Sequence, residues 1–223
     1  RLPGKVLLKI NNIPMLKIQV LRILQSKRIS KLIVATSNKP EDSKIVSLCE
    51  ELGVESITGS LNNVFDRFQK VISKNSYSHI VRLTGDCPLF MPQICDEMVD
   101  SYFSGIFDYF SNTIEPTFPD GLDIEIFRTT AFSKLKTFNL TMSEKEHVTL
   151  GIKKNQKKYN LINIKAPKNL HWPKLGLTLD VYEDYLLLKK IIEYFYKKKK
   201  YLFNCEDVIK LLKNKINWIK INS

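Results

Sequence analysis

The chain has 223 residues, with 35 Lys+Arg against 23 Asp+Glu and a formal net charge of +12. That length is one full domain, or one with an appendage, and it suffices for a core without disulfide or metal staples. At 43% hydrophobic and 26% charged residues the chain is globular rather than disordered; no apolar run approaches the roughly 18 residues of a membrane span, and the opening RLPGKVLLKI does not read as a secretory signal.

In chain order, Ile13, Leu16, Val20, Leu21 and Leu24 recur at helical spacing and predict a helix within 13–29. Leu32-Ile33-Val34-Ala35 predicts a buried strand. Pro40-Glu41-Asp42 opens the next helix and Gly53 closes it. A strand over 54–58 precedes a helix over 62–75, with Val64, Phe65, Phe68, Val71 and Ile72 on one face. A strand over 79–83 then leads through the turn Thr84–Pro88 to a helix from Pro92 to about Phe103. Further strands are predicted at 108–112, 122–127, 160–164 and 177–180. Helices are predicted near 142–153, where Ser143 and Glu146 have capping-box spacing, at 182–197 and at 205–213. This alternation predicts an α/β fold with a mostly parallel sheet and helices on both faces. Ligands bind such sheets at the carboxyl ends of the strands, so Thr36-Ser37-Asn38, Gly59-Ser60, Thr84–Pro88 and Asn112-Thr113 are candidate site turns.

Charge and thiols narrow the function classes. Residues 151–223 hold 17 lysines, no arginine and 6 acids, so nearly all the excess charge lies there. Lysine without arginine reads base edges poorly, and the run Lys197–Lys200 suits a helix C-terminus, so solvated helix faces are expected and no nucleic-acid partner. The four cysteines (Cys49, Cys87, Cys95 and Cys205) have no CxxC or zinc-finger spacing, which fits free thiols in a cytoplasmic protein.

Several short stretches can carry chemistry. RLPGK (1–5) sets two cations around a Pro-Gly turn, either as a phosphate cradle or as an ordinary basic turn. Asp86, in Thr84-Gly85-Asp86-Cys87-Pro88, has the position of a Mg²⁺–phosphate ligand; a helix cap or turn brace is the structural alternative. Asp180 ends the apolar Leu177-Thr178-Leu179 and is either a second metal carboxylate or the N-cap of the following helix. In Pro119–Glu125, strand alternation would put Asp123 and Glu125 on one face, beside Asp120. His79 and His171 read as packing residues, and His147 follows an acidic helix start. The sequence has no Walker A, GxGxxG or HExxH motif, and no Ser-His-Asp grouping can be placed.

Together, RLPGKVL (1–7), IVATS (33–37), EELGV (50–54), GS…DRF (59–68), VRLTGDCPL (81–89), SNT (111–113), PDGLDIEIF (119–127), SEKEHVT (143–149) and LTLDVYED (177–184) resemble, in order, the cytidylyltransferase family of the spore-coat polysaccharide type. That family is related to CMP-Kdo synthetases and acylneuraminate cytidylyltransferases. The resemblance implies a three-layer α/β/α, Rossmann-like nucleotide-diphospho-sugar transferase fold over a single domain. It also implies a Mg²⁺-dependent transfer of CMP from CTP to a sugar or sugar acid for surface polysaccharide, with release of pyrophosphate. A non-sugar acceptor, or an inactive nucleotide-binding homologue, is the alternative. Carried over to this sequence, Arg1, Lys5 and Asp86 are the expected catalytic residues. Arg1, Lys5, Thr36, Ser37, Ser60, Arg67, Thr84, Gly85 and Asp86 are expected to bind nucleotide, and Asp86 and Asp180 to hold metal. Asp120, Asp123, Glu125 and His147 fall in the acceptor region. A cytoplasmic homodimer without a membrane partner is implied, with 120–165 contributing to the dimer. The family begins with a strand and a small-residue loop before LPGK, of which this sequence keeps the last Arg; the expectation is that the strand is missing from the sequence as given. Val181 and Tyr182 replace the family's usual Thr and Pro, and Gly176 stands where a basic residue often precedes that strand.

Overall fold

The computed structural model describes residues 2–74 and 76–222. It opens with a hairpin that the periodicity does not reveal, β1 (Lys9–Ile10) and β2 (Ile13–Pro14), paired antiparallel. Asn11 and Asn12 form its two-residue turn with φ of 49° and 64°. Asparagine tolerates that left-handed region better than most residues, which is what such a hairpin requires. The helix α1 (Met15–Ile23) follows, shorter than the apolar spacing over 13–29 suggests.

β3 (Ile33–Ser37), α2 (Ser43–Glu51) and β4 (Glu55–Gly59) form one parallel βαβ unit, with Ile33 opposite Glu55 and Ser37 opposite Gly59. Gly53, at φ +65°, ends α2 in the left-handed conformation that glycine adopts without strain. Then come α3 (Val64–Lys74), β5 (His79–Arg82), α4 (Pro92–Phe103), β6 (Tyr109–Ser111) and β7 (Glu125–Arg128). The chain continues through α5 (Thr129–Lys134), α6 (Met142–Glu146), α7 (Leu150–Lys154) and β8 (Leu161–Asn163). It closes with α8 (Tyr182–Lys197), α9 (Cys205–Asn214) and α10 (Ile216–Ile219).

The strands form a second sheet in the order β5-β7-β6-β8. β5, β6 and β8 share one direction; β7 is reversed and antiparallel to both neighbours. Side-chain alternation shows that helices cover both faces. Ile126 and Phe110 belong to the core shared with α1, α4, α8 and α9, whereas their neighbours Phe127 and Tyr109 belong to a separate core with Phe65 of α3 and Phe132 of α5. A third cluster packs Leu16 and Val20 of α1 on Ile45 and Leu48 of α2. The architecture is therefore α/β, with helices on either side of the strands.

Three local expectations change. The helix expected near 142–153 is two short helices, and its cap is one box upstream: Thr141 pairs reciprocally with Glu144 rather than Ser143 with Glu146. Residues 177–180 form no strand; the stretch is tied in by the parallel bridge between Asp120 and Gly176 and by single backbone bonds from Leu177 N to Asp120 O and from Leu179 N to Asp86 O. Strand pairing also divides between β3 and β5. The cleft there is about 500 Å³, lined by both strands and by apolar side chains such as Val20, Phe68, Ile72 and Val99.

Candidate active site

The site begins at a glycine. Gly4 has φ +66°, and the chain turns there into a 3-10 turn over Lys5–Leu7. Lys5 Nζ donates to Asp86 Oδ2 at 3.1 Å and to Asp180 Oδ1 at 2.8 Å. Three segments remote in sequence thus meet on one ammonium. Arg1, expected beside Lys5, lies outside the described residues.

Backbone contacts fix both carboxylates. The turn after β5 is held by Gln19 of α1, a buried amide whose Nε2 donates to Thr84 O at 2.7 Å and Cys87 O at 3.0 Å. Leu179 N donates to Asp86 O at 2.8 Å, which locks the Asp86 turn to the segment ending in Asp180. The N-terminus of α8 is capped by Asp184, not by Asp180: Asp184 Oδ2 accepts from Asp180 N at 2.8 Å and from Val181 N at 3.0 Å. The helix α4 begins after Met91, so Asp86 caps no helix. Capping is thus removed as the structural explanation of either carboxylate.

Gly121 makes the close packing possible. It has φ +96°, and a Cβ there would lie 2.6 Å from Leu177 C and 2.7 Å from Leu177 O. Only a residue without a side chain lets the Asp120–Asp123 turn lie against the 177–180 segment. Asp120 is exposed, and Asp123 is half-buried.

The charges in this corner are unequal. Burial would lower the Lys5 ammonium, but the carboxylates of Asp180 and Asp86 outweigh it and hold it above its ordinary value. Burial would raise Asp86, but the Thr84 hydroxyl and Lys5 hold it low. Asp123 goes the other way: burial first, then the charges of Asp120 and Glu125, push it up to about 6. Among the described residues the Asp123 side chain has no ion pair.

Glu125 is sealed in. It is 2% exposed and accepts from Arg82 Nη1, from Tyr109 OH and from Thr149 Oγ1 at 2.7 Å, with Lys153 Nζ at 3.1 Å. Burial opposes its ionisation, yet Arg82 and Lys153 draw it down to about 2. Lys153 also donates to Thr113 Oγ1 at 2.8 Å, at the carboxyl end of β6. The strand begins only at Glu125, so Asp123 and Glu125 do not share one exposed face. His147, at the C-cap of α6, is exposed and joins none of these contacts.

The remaining candidate residues line the carboxyl ends of β3, β4 and β5. Thr36 Oγ1 donates to Asp42 Oδ2 at 3.0 Å, and Ser37 N to the same oxygen at 3.2 Å, so both brace the turn after β3. Ser60 Oγ accepts from Asn63 N at 3.2 Å. Arg67 lies under that turn: Nη1 donates to Ala35 O at 3.2 Å, its Nε is buried without a partner, and burial lowers its proton affinity. Gly85 is exposed beside Val6. Thr84 Oγ1 and Cys87 Sγ are 3.1 Å apart. Cys87 itself is buried, and burial together with Asp86 raises its thiol well above the ordinary value, which disfavours a thiolate nucleophile. His79 packs edge-on against Tyr102 and Phe103, at 5.4 and 5.0 Å, as a core residue.

Sequence reasoning missed Gln19, Asp42, Arg82, Thr149 and Lys153. A glutamine among the apolar residues of an amphipathic helix was the one legible sign, since a buried amide must find partners. The others depend on tertiary contacts. Among the described residues no group of three or more His, Cys, Asp or Glu forms a ready metal cage. Asp86 and Asp180 nevertheless both contact the Lys5 ammonium, and a pair of carboxylates is the kind of oxygen donor that suits Mg²⁺.

Comparison with known proteins adds the following. A family profile described as Cytidylyltransferase matches residues 1–214. The spore coat polysaccharide biosynthesis protein SpsF of Bacillus subtilis is 33% identical over 198 residues, covering 86% of this chain and 81% of that protein. A cytidylyltransferase structure from Leptospira borgpetersenii superposes with a TM-score of 0.93 at 31% identity, covering 100% of this chain and 92% of that one. The CMP:2-keto-3-deoxy-manno-octonic acid synthetase complexed with CTP superposes with a TM-score of 0.61 at 15% identity, over 89% of this chain and 94% of that one, a likeness of fold.

Proposed function

The chain belongs to the cytidylyltransferase family, and from that premise we propose that it is a Mg²⁺-dependent enzyme transferring CMP from CTP to a sugar or sugar-acid acceptor. The observation that carries the reading is the convergence of Lys5, Asp86 and Asp180 at the carboxyl end of the sheet. The relative active in spore-coat polysaccharide synthesis supports a glycan-building role.

Nucleotidyl transfer forms a bond from an acceptor oxygen to the α-phosphorus and breaks the bond to the pyrophosphate oxygen. Charge gathers on non-bridging and leaving oxygens, so the chemistry needs fixed cations more than a covalent residue. Asp86 and Asp180 would hold Mg²⁺, which when bound polarises the α-phosphate. Lys5 offsets charge on the pyrophosphate side. The turns after β3 and β4, with Thr36, Ser37, Ser60 and Arg67, form the floor for base and ribose, and Thr84 and Gly85 flank the phosphates. On the acceptor side, Asp123 is free to take a hydroxyl hydrogen bond, while Asp120 lies at the rim. Glu125 acts through Arg82 and Lys153 as the internal post that steadies this wall, and His147 stands outside it.

A thermal-shift panel with CTP, UTP, ATP and GTP, each with and without Mg²⁺, tests the reading. Ligand at about 100 times its dissociation constant stabilises by roughly 2.7 kcal/mol. Selective stabilisation by CTP–Mg²⁺, lost in Asp86→Asn, is expected; equal or absent responses to all four nucleotides would overturn it.

A further inference from the structure

In this structure the Lys5 ammonium bridges the two carboxylates proposed as the metal's ligands, at 3.1 and 2.8 Å. We propose that Lys5 is a place-holding cation: it keeps the metal seat closed to a bare divalent ion and leaves it only when a triphosphate draws it away, so that metal enters with nucleotide. The inference rests on the proposed function for the identity of the metal and the nucleotide.

Three observations support it. The two accepting oxygens lie within about 6 Å of each other, because one nitrogen touches both. Magnesium binds carboxylate oxygens at about 2.0–2.1 Å, so a divalent ion between this pair would stand where Nζ now stands, and two cations cannot share the position. The carboxylates are also fixed by backbone: Leu179 N holds Asp86 O, and Asp184 holds the amides of Asp180 and Val181. The backbones that carry the pair therefore stay together, which keeps both acids within reach of one cation. Lys5 is the movable member, a long side chain on a 3-10 turn next to Gly4. A triphosphate offers it several anionic oxygens in exchange for the two it gives up, which couples its departure to nucleotide arrival.

The test uses Mn²⁺ alone as probe, with the free ion followed by electron paramagnetic resonance. Lys5→Met, which keeps the stem and removes the charge, is expected to bind Mn²⁺ at least ten-fold more tightly than wild type without nucleotide. Lys5→Arg, which keeps the charge, is expected to exclude it as wild type does. Asp86→Asn in the Lys5→Met background should abolish the gained binding. In the presence of CTP the difference closes: wild type takes up Mn²⁺ beyond what CTP alone binds, and Lys5→Met gains little. Circular dichroism melts establish that each variant is folded, and Lys5→Gln serves as a second charge-removing variant if Lys5→Met is not. Equal Mn²⁺ affinity in wild type and the charge-removing variant would overturn the proposal. If instead that variant binds Mn²⁺ tightly while wild type ignores CTP in every condition, the closed seat stands, and its release by a triphosphate fails together with the nucleotide reading.

Discussion

Two carboxylates two residues apart behave oppositely because of their neighbours. Glu125 has Arg82 and Lys153 as counter-charges and two further hydrogen-bond donors, Tyr109 and Thr149, whereas Asp123 faces other acids. Removing one member of a buried ion network leaves the rest uncompensated, so Glu125→Gln should cost roughly 3–5 kcal/mol. In a chain of this size each kcal/mol is worth about 2–4 °C, and the loss is readable as a fall in Tm. The sign with pH follows from the depressed native value. The contribution is complete above the ordinary glutamate range and is lost as pH falls toward about 2, so the deficit of Glu125→Gln should shrink in acid. Asp123 has the reverse sign. Its native value is raised to about 6, so the folded state holds the proton more tightly, and stability declines as pH rises from about 4 through 6. Asp123→Asn should therefore melt higher than wild type near pH 7.5, by about 1 kcal/mol after allowing for solvent screening, and equal to it at pH 4. Melts at the two pH values decide; a variant no more stable at pH 7.5 would contradict the raised value. Neither behaviour was legible in Pro119-Asp120-Gly121-Leu122-Asp123-Ile124-Glu125, because the counter-charges come from β5 and α7.

Among the elements, the long amphipathic helices were the most legible. Pro92–Phe103 stands as read, 182–197 matches α8, and 205–213 falls within α9. Their apolar stripes are long enough for the period to be unambiguous. The failures were short. The β1–β2 hairpin has two residues per strand, too few to show alternation, and its signal was the Asn11-Asn12 pair. The 177–180 stretch has a buried strand's apolar content, yet it is positioned by Asp120, Gly121 and Asp86 rather than by a strand partner. That dependence gives a prediction at the level of the segment. Gly121→Ala would bring a methyl into Leu177 backbone and force the 119–123 turn away from the Asp180 arm. Loss of CTP–Mg²⁺ stabilisation, together with a lower Tm, is expected; a variant that melts and binds like wild type would show that the close approach is dispensable. At the other end of the scale, Thr141→Ala removes a helix cap outside the site and should cost only about 1 kcal/mol, with nucleotide response intact.

For the whole molecule, the α/β architecture followed from the alternation of elements, and the candidate site from the rule that such sheets bind ligands at strand ends. What the sequence could not convey was which segments touch. Lys5, Asp86 and Asp180 could each be picked out, but their meeting on one ammonium depends on Gln19 and Leu179, which carry no chemistry of their own. The reversal of β7 was equally hidden, since an apolar run such as Ile124–Phe127 has no direction. Part of the basic excess is engaged within the fold: Lys200 pairs with Asp207, Lys153 and Lys154 pair with Glu125 and Glu144, and Lys198 lies over the Tyr194 ring.

The reversal of β7 has a consequence in time. β7 is hydrogen-bonded to a strand on each side, whereas β3 and β5 each have one strand partner among the described residues. A strand paired on both sides opens only when both of its ladders do, and segments of one fold open with their own free energies. Amide hydrogen exchange should divide the molecule accordingly. Protons of β7 and β6, each paired on both sides, should be retained longest, and those of the β1–β2 hairpin, with two residues per strand, should exchange first. The last amide to exchange should then be on β7, the strand of its sheet that runs against both neighbours.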